Sequence, residues 1–181
     1  MMLLDWLNRS RHTRGYGVHS PFGYALVTRA VRPKGCAWYG YADIRNSLAQ
    51  NFDRRIWREA RMLLRLAAFL RPGSVYLPAG ANLAYNTAIS AADSRTGIVK
   101  AAACAASCDM ICSVSDVLPL DVLQRALERP GACVAVRNVP VGWTEALFGS
   151  LAEGIALRGK RNLIMVHRPG MQKIFYTVNI G

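Results

Sequence analysis

No apolar run in this chain approaches the ~20 residues needed to span a bilayer. The opening stretch MMLLDWLNRSR carries Asp5 and no long apolar segment before a cleavage site, so it reads as neither an anchor nor a leader. A soluble, unexported, cytoplasmic protein is expected. Histidine is scarce, and His12, His19 and His167 are too scattered to define a triad. The five cysteines are odd in number, and Cys104, Cys108 and Cys112 recur every four residues with no histidine nearby. Zinc sites favour close pairs with a second pair or His later, so buried reduced thiols are expected here and no metal set is assigned. There is no Gly-x-Ser-x-Gly elbow, no Gly-Lys-Ser/Thr phosphate loop and no His-Glu-x-x-His helix. Those absences remove the common hydrolase, P-loop and zincin chemistries.

Positive charge is abundant, with 23 Lys and Arg against 11 Asp and Glu, a net +12. Most of the surplus lies before Pro72, where twelve arginines and Lys34 face only Asp5, Asp43, Asp53 and Glu59. Much of it falls on one predicted helix, DRRIWREARMLLRLAAFLR, opened by an Asp53 cap and stopped at Pro72-Gly73. Ile56, Ala60, Leu63, Leu64, Ala67 and Leu70 form its apolar face, which should dock on a sheet. Arg54, Arg58, Arg61 and Arg65 follow one another at three- or four-residue steps. Such a stripe suits an anionic partner, whether nucleic acid, a lipid surface or an acidic protein, and a solvated helix face is the plain alternative. Trp38, Tyr39, Tyr41 and Trp57 place aromatics nearby, without a nucleic-acid-binding signature.

At 181 residues and 52% hydrophobic content the chain suits one folding unit, divided into a basic helical extension over 1–72 and an α/β body over 73–181. The extension reads as a helix at 2–9, a glycine turn at 14–17, a helix from Ser20-Pro21 to about Val31, a loop through Gly40 and the arginine helix. Ser20 can cap and Pro21 can take the first helical position. His19, just before that cap, is either a packing residue or part of a site. The body reads as strand 74–78, helix 83–92, strands 97–102 and 110–115, helix 119–128, strand 132–137, helix 143–153, and strands 161–167 and 173–180. This alternation predicts a mostly parallel sheet with helices on both faces. Pro169-Gly170-Met171 suits an antiparallel hairpin between the last two strands. His167-Arg168 reads as an exposed connector.

Within the body, SVYLPAGANLAYNTAISAA (74–92) has the form of a strand, tight turn and helix start that hold a nucleotide-type cofactor. Gly80 permits the turn and close approach of a ligand to the backbone. Pro78 stands where a carboxylate would be useful, and Ala84 where a further glycine would relieve crowding.

With these features in order, the chain resembles class I S-adenosylmethionine-dependent methyltransferases, in particular a bacterial group that begins with Gly-x-His-Ser-Pro-Phe, here Gly17-Val18-His19-Ser20-Pro21-Phe22. The resemblance covers most of the chain, through Arg71-Pro72, VYLPAGANLAYNT, ICSVSD, GACVAVRNV with Gly142-Trp143, and the closing strands. It implies a Rossmann-like methyltransferase-type sheet, S-adenosylmethionine as cofactor, and methyl transfer to an unidentified acceptor. On it, Ala79, Gly80 and Asn82 line the cofactor's amino-acid end, Asp116 belongs to the same site, and His19 is the catalytic or positioning group.

The chain departs from the family pattern at three places. Pro78 falls on the first-strand acid. The acid that should bind the ribose hydroxyls is missing after 98–102, where Ala103, Cys104, Ala105, Ala106, Ser107 and Cys108 lead to Asp109. About seven residues separate strands 97–102 and 110–115, fewer than a parallel crossover needs, so the fold is expected to be truncated after the second strand. In cation-dependent relatives Asp116 matches the first ion ligand, but Arg137-Asn138 replaces the second, and Asp116 also suits a helix cap. Methyl transfer is therefore expected to be weak or lost, as in a pseudoenzyme. The alternative is a non-catalytic binding module that uses the basic helix.

Overall fold

A computed structural model of the chain describes residues 17–33, 38–114 and 118–180. The helix expected at 2–9, most of the glycine turn, and Asp116 lie outside the described residues.

Ser20 and Pro21 open the first helix as their chemistry requires. The Ser20 hydroxyl accepts from the Gly23 amide at 3.2 Å, and Pro21 sits in the first turn, where no N–H is needed. This helix, α1 (Pro21–Ala25), widens into a π-helical segment, Leu26–Val31. A further helix, α2 (Gly40–Ser47), follows where the sequence offers little periodicity, because only Gly40 and Ile44 of it are buried.

The arginine helix, α3 (Arg54–Leu70), starts at its expected cap. Asp53 Oδ1 accepts from the Arg55 and Ile56 amides at 2.6 and 3.3 Å. It ends at Arg71, in the left-handed region with φ 53°, ahead of Pro72. The helix is more deeply sunk than a one-sided amphipath, since Met62, Arg65 and Leu66 are buried along with the expected face. After it comes α4 (Leu83–Ala92), capped by Asn82. At Gly40 an added Cβ would lie 2.6 Å from Leu64 Cδ1 and 2.8 Å from Ala91 Cβ, so glycine lets α2 approach both α3 and α4.

Among the described residues, seven strands form one sheet: β1 (Ser74–Tyr76), β2 (Gly97–Val99), β3 (Met110–Ser113), β4 (Cys133–Arg137), β5 (Gly154–Arg158), β6 (Asn162–His167) and β7 (Ile174–Thr177). Their order is β2-β1-β3-β4-β6-β5-β7. Four neighbouring pairs are parallel, and only β6 runs antiparallel, against both β4 and β5. The expected mostly parallel α/β sheet is thus present.

The short link between β2 and β3 is resolved by their positions. They are not neighbours, because β1 lies between them, and the connection is a 3-10 segment, Ala102–Ser107, which contacts β1. Among the described residues no strand lies beyond β2.

The end of the sheet corrects the sequence reading. The helix expected over 143–153 is α6 (Trp143–Ser150), and the next residues form β5, a strand the pattern does not reveal. The antiparallel hairpin is therefore β5–β6, closed by Gly159-Lys160-Arg161, rather than a pairing of β6 with β7. The β7 strand instead lies parallel to β5 at the edge. Gly154 makes this possible: its φ is +127°, and a Cβ there would lie 2.1 Å from the Val166 carbonyl oxygen.

Helices cover both sheet faces. One core joins Val75, Cys112 and Leu157 to the helices α1 to α4, and the other joins Ile111, Val136 and Met165 to the 3-10 segment, α5 (Leu120–Leu127) and α6. Burial on both sides explains why the strands read as continuous apolar runs. Leu26, Ile44 and Leu63 share the first core with the strands, so the extension packs as part of the body. Among the described residues, no helix is long and apolar enough to cross a membrane.

Candidate anion-binding cleft

The carboxyl end of β4 and the β5–β6 turn bring Arg137, Lys160 and Arg161 beside the first turns of α3. Between them lies a cavity of about 440 Å³, lined by Arg54, Arg55, Arg58, Arg137, Lys160 and Arg161 together with Asp53, Glu59, Asn162 and Ile180. A second hollow of about 240 Å³ shares Lys160, Arg161 and Asn162 with it and adds Arg158. The two adjoin through these shared residues, at the edge where ligands of open α/β sheets usually sit.

The two carboxylates among the cleft's described lining residues are engaged by the protein itself. Asp53 caps α3. Glu59 is only 7% exposed, and its Oε2 accepts from the Tyr85 hydroxyl at 2.7 Å and from Arg137 Nη1 at 3.1 Å. Arg55 Nε stands 3.5 Å from Oε1. Burial pushes the Glu59 carboxyl above its ordinary range, against the downward pull of the Tyr85 hydroxyl and Arg55. Burial and the neighbouring carboxylate also raise the Tyr85 phenol, which keeps it a donor. Among the described residues, Arg54, Arg58, Arg158, Lys160 and Arg161 have no ion-pair partner. Guanidinium forks directed at one cleft suit phosphate or carboxylate oxygens. The cleft walls offer no free nucleophile or base among the described residues.

The arginine stripe divides. Arg54 and Arg58 are exposed and line the cleft. Arg61 is half-buried, its guanidinium stacked 4.1 Å from the Tyr41 ring centroid and 5.2 Å from that of Trp57. Arg65 lies in the interior, 7% exposed, and donates to the Ala30 and Val31 carbonyls at 2.7 and 3.2 Å and to the Tyr41 hydroxyl at 2.8 Å. It satisfies the end of the π-helical segment and is not available to a ligand. The expected four-arginine surface therefore reduces to two of its members, joined by Arg55, Arg137, Lys160 and Arg161, which helix spacing alone does not reveal. The one sequence signal for the last two is the basic run Arg158-Gly159-Lys160-Arg161 between apolar segments.

Ala79, Gly80 and Asn82, three of the residues expected to hold S-adenosylmethionine, lie outside this cleft. Ala79 and Gly80 are exposed after β1, and a Cβ on Gly80 would meet nothing within 4 Å. Asn82 Oδ1 accepts from the Ala84 amide at 2.9 Å, so this side chain serves as a helix cap. None of the three lines the cleft. His19 is exposed at the sheet's other flank, where its amide donates to Tyr176 Oη at 3.4 Å; it too stands apart from the cleft.

One further expectation changes. His167 is buried, with Nδ1 2.7 Å from the Leu127 carbonyl, rather than an exposed connector. Asp109 precedes β3 at the amino edge, where Oδ2 accepts from the Ser74 amide and hydroxyl at 3.0 and 3.1 Å and Oδ1 pairs with Arg129 at 3.0 Å. It clasps β1 to β3 and does not face a ribose site. Cys108, Cys112 and Cys133 are buried free thiols, while Cys104 is free and exposed.

No protein-family model, curated protein or solved structure matches this chain.

Proposed function

We propose that this protein is a non-catalytic anion-binding module on a methyltransferase-type frame, with methyl transfer weak or lost, and that its ligand carries several phosphate groups. The observation that carries this reading is the cleft, where five cations stand without an ionic partner among the described residues. Such a field favours polyanions and opposes the positively charged sulfonium of S-adenosylmethionine. The absence of an acid at Pro78, and the use of Asn82 as a cap, remove groups that would hold that cofactor's cationic end. Among the described lining residues, the two carboxylates, Asp53 and Glu59, are both held by hydrogen bonds within the protein.

A thermal-denaturation titration tests this with inorganic tripolyphosphate and S-adenosylmethionine as probes. Tripolyphosphate at a hundred times its Kd should stabilise the protein by about 2.7 kcal/mol, and the effect should fade as salt is raised. Stabilisation by S-adenosylmethionine alone, with none from tripolyphosphate, would overturn the proposal in favour of a working methyltransferase site.

A further inference from the structure

We infer that the cleft's ligand is single-stranded nucleic acid, its phosphates on the basic walls and its bases stacked on the aromatic group at the start of α3; this rests on the anion-binding reading above. The cations are spread along two adjoining hollows, with Arg54 and Arg58 on one wall, Lys160 and Arg161 on the other, and Arg158 beyond. That spacing suits a backbone with repeated phosphates better than one compact anion. Phe52 adjoins the cleft residue Asp53 and is 55% exposed, so its ring is open to a stacking partner. Its ring centroid lies 6.3 Å from that of Trp57, which packs in turn against Tyr41 at 6.1 Å. Arg54, Trp57, Arg58 and Arg61 are neighbours on the helix surface by their three- and four-residue spacing, so the rings border the basic wall. A charged groove flanked by aromatics binds unpaired strands without sequence preference, because every base offers a π-face. A duplex hides those faces in its own stack.

Fluorescence anisotropy with the full chain tests the inference. The probes are a labelled thymidine strand of about 12 nucleotides, within the site sizes of such proteins, an abasic strand of the same length, and the matching duplex. The thymidine strand should bind at least about tenfold more tightly than the abasic one. Its log K should fall linearly with log salt, by about 0.7 per phosphate contacted. Phe52→Ala should weaken the thymidine strand by about 5- to 150-fold while leaving the abasic strand unchanged, and Phe52→Tyr should restore it. Arg161→Gln should weaken both strands and flatten the salt slope by about 0.7. Equal, salt-sensitive binding of the thymidine and abasic strands, or of strand and duplex, would overturn this inference and leave the anion-binding reading standing. Failure to bind any of the three would overturn this inference, and an absent response to tripolyphosphate would overturn the anion-binding reading with it.

Discussion

Replacing Arg65 by methionine removes a buried guanidinium but keeps much of its length. The variant strips donors from the Ala30 and Val31 carbonyls and from the Tyr41 hydroxyl. Ala30 and Val31 are 0% and 3% exposed, so water cannot readily replace the lost bonds. An orphaned buried carbonyl costs about 1–3 kcal/mol, and a hydrogen bond to a charged donor contributes about 1.5–3. These terms overlap, and burying the methionine returns part of the loss. A net destabilisation of about 4 kcal/mol follows. For a domain of this size that lowers Tm by about 8–16 °C. Arg65→Lys keeps the charge but offers a single ammonium to acceptors spread around a guanidinium fork, and should fall near half that loss. Urea denaturation measures both. A loss within about 0.5 kcal/mol for Arg65→Met, the usual range for a surface change, would refute the interior placement and return Arg65 to the solvent stripe.

Gly154→Ala should cost more than about 3 kcal/mol or prevent folding, because backbone conformation and the Val166 carbonyl both forbid a Cβ; equilibrium unfolding or the soluble yield reports it. Glu59 holds its proton to higher pH when folded than when unfolded, so its contribution favours folding fully below 4.5 and is lost as pH rises through the folded value. Relative to Glu59→Gln, the parent protein should therefore lose stability as pH rises from 4.5, as read by denaturation curves across that window. Among the described cysteines, iodoacetamide should alkylate Cys104 in the native protein and reach Cys108, Cys112 and Cys133 only after unfolding. Burial pushes the Cys133 thiol up to about 12 and raises the other two as well; peptide mass spectrometry reads the order.

Local chemistry made several elements legible in the sequence. Ser20-Pro21 and Asp53 announce α1 and α3 because a cap is a short-range device, and the apolar runs at Val75, Ile111 and Val134 announce buried strands. The β5 strand was hidden because Leu151 to Leu157 continues the apolar pattern of α6, and a short run buried on both faces has no alternation to separate it from a helix. That omission moved the hairpin one strand along and hid Lys160 and Arg161 as a cleft wall. Arg65 was misread for a related reason. Helical spacing shows which residues share a face, but the π-helical segment that covers Arg65 comes from thirty-five residues away. The turn at Gly80 was legible as a shape, whereas its exposure and the capping role of Asn82 depend on the folded surroundings.

If the cleft, rather than the protein's general positive charge, binds the anion, cations lost from the cleft will matter more than cations lost elsewhere. Two double variants remove the same charge from different places: Arg54→Gln with Arg161→Gln in the cleft, and Arg95→Gln with Arg125→Gln, both exposed and paired elsewhere with Asp93 and Asp121. Tripolyphosphate affinity, measured calorimetrically at fixed salt, should fall by at least about tenfold in the cleft pair. It should stay within about twofold of the parent in the distant pair. Equal losses in the two would contradict the account, assigning the binding to the net +12 of the whole chain.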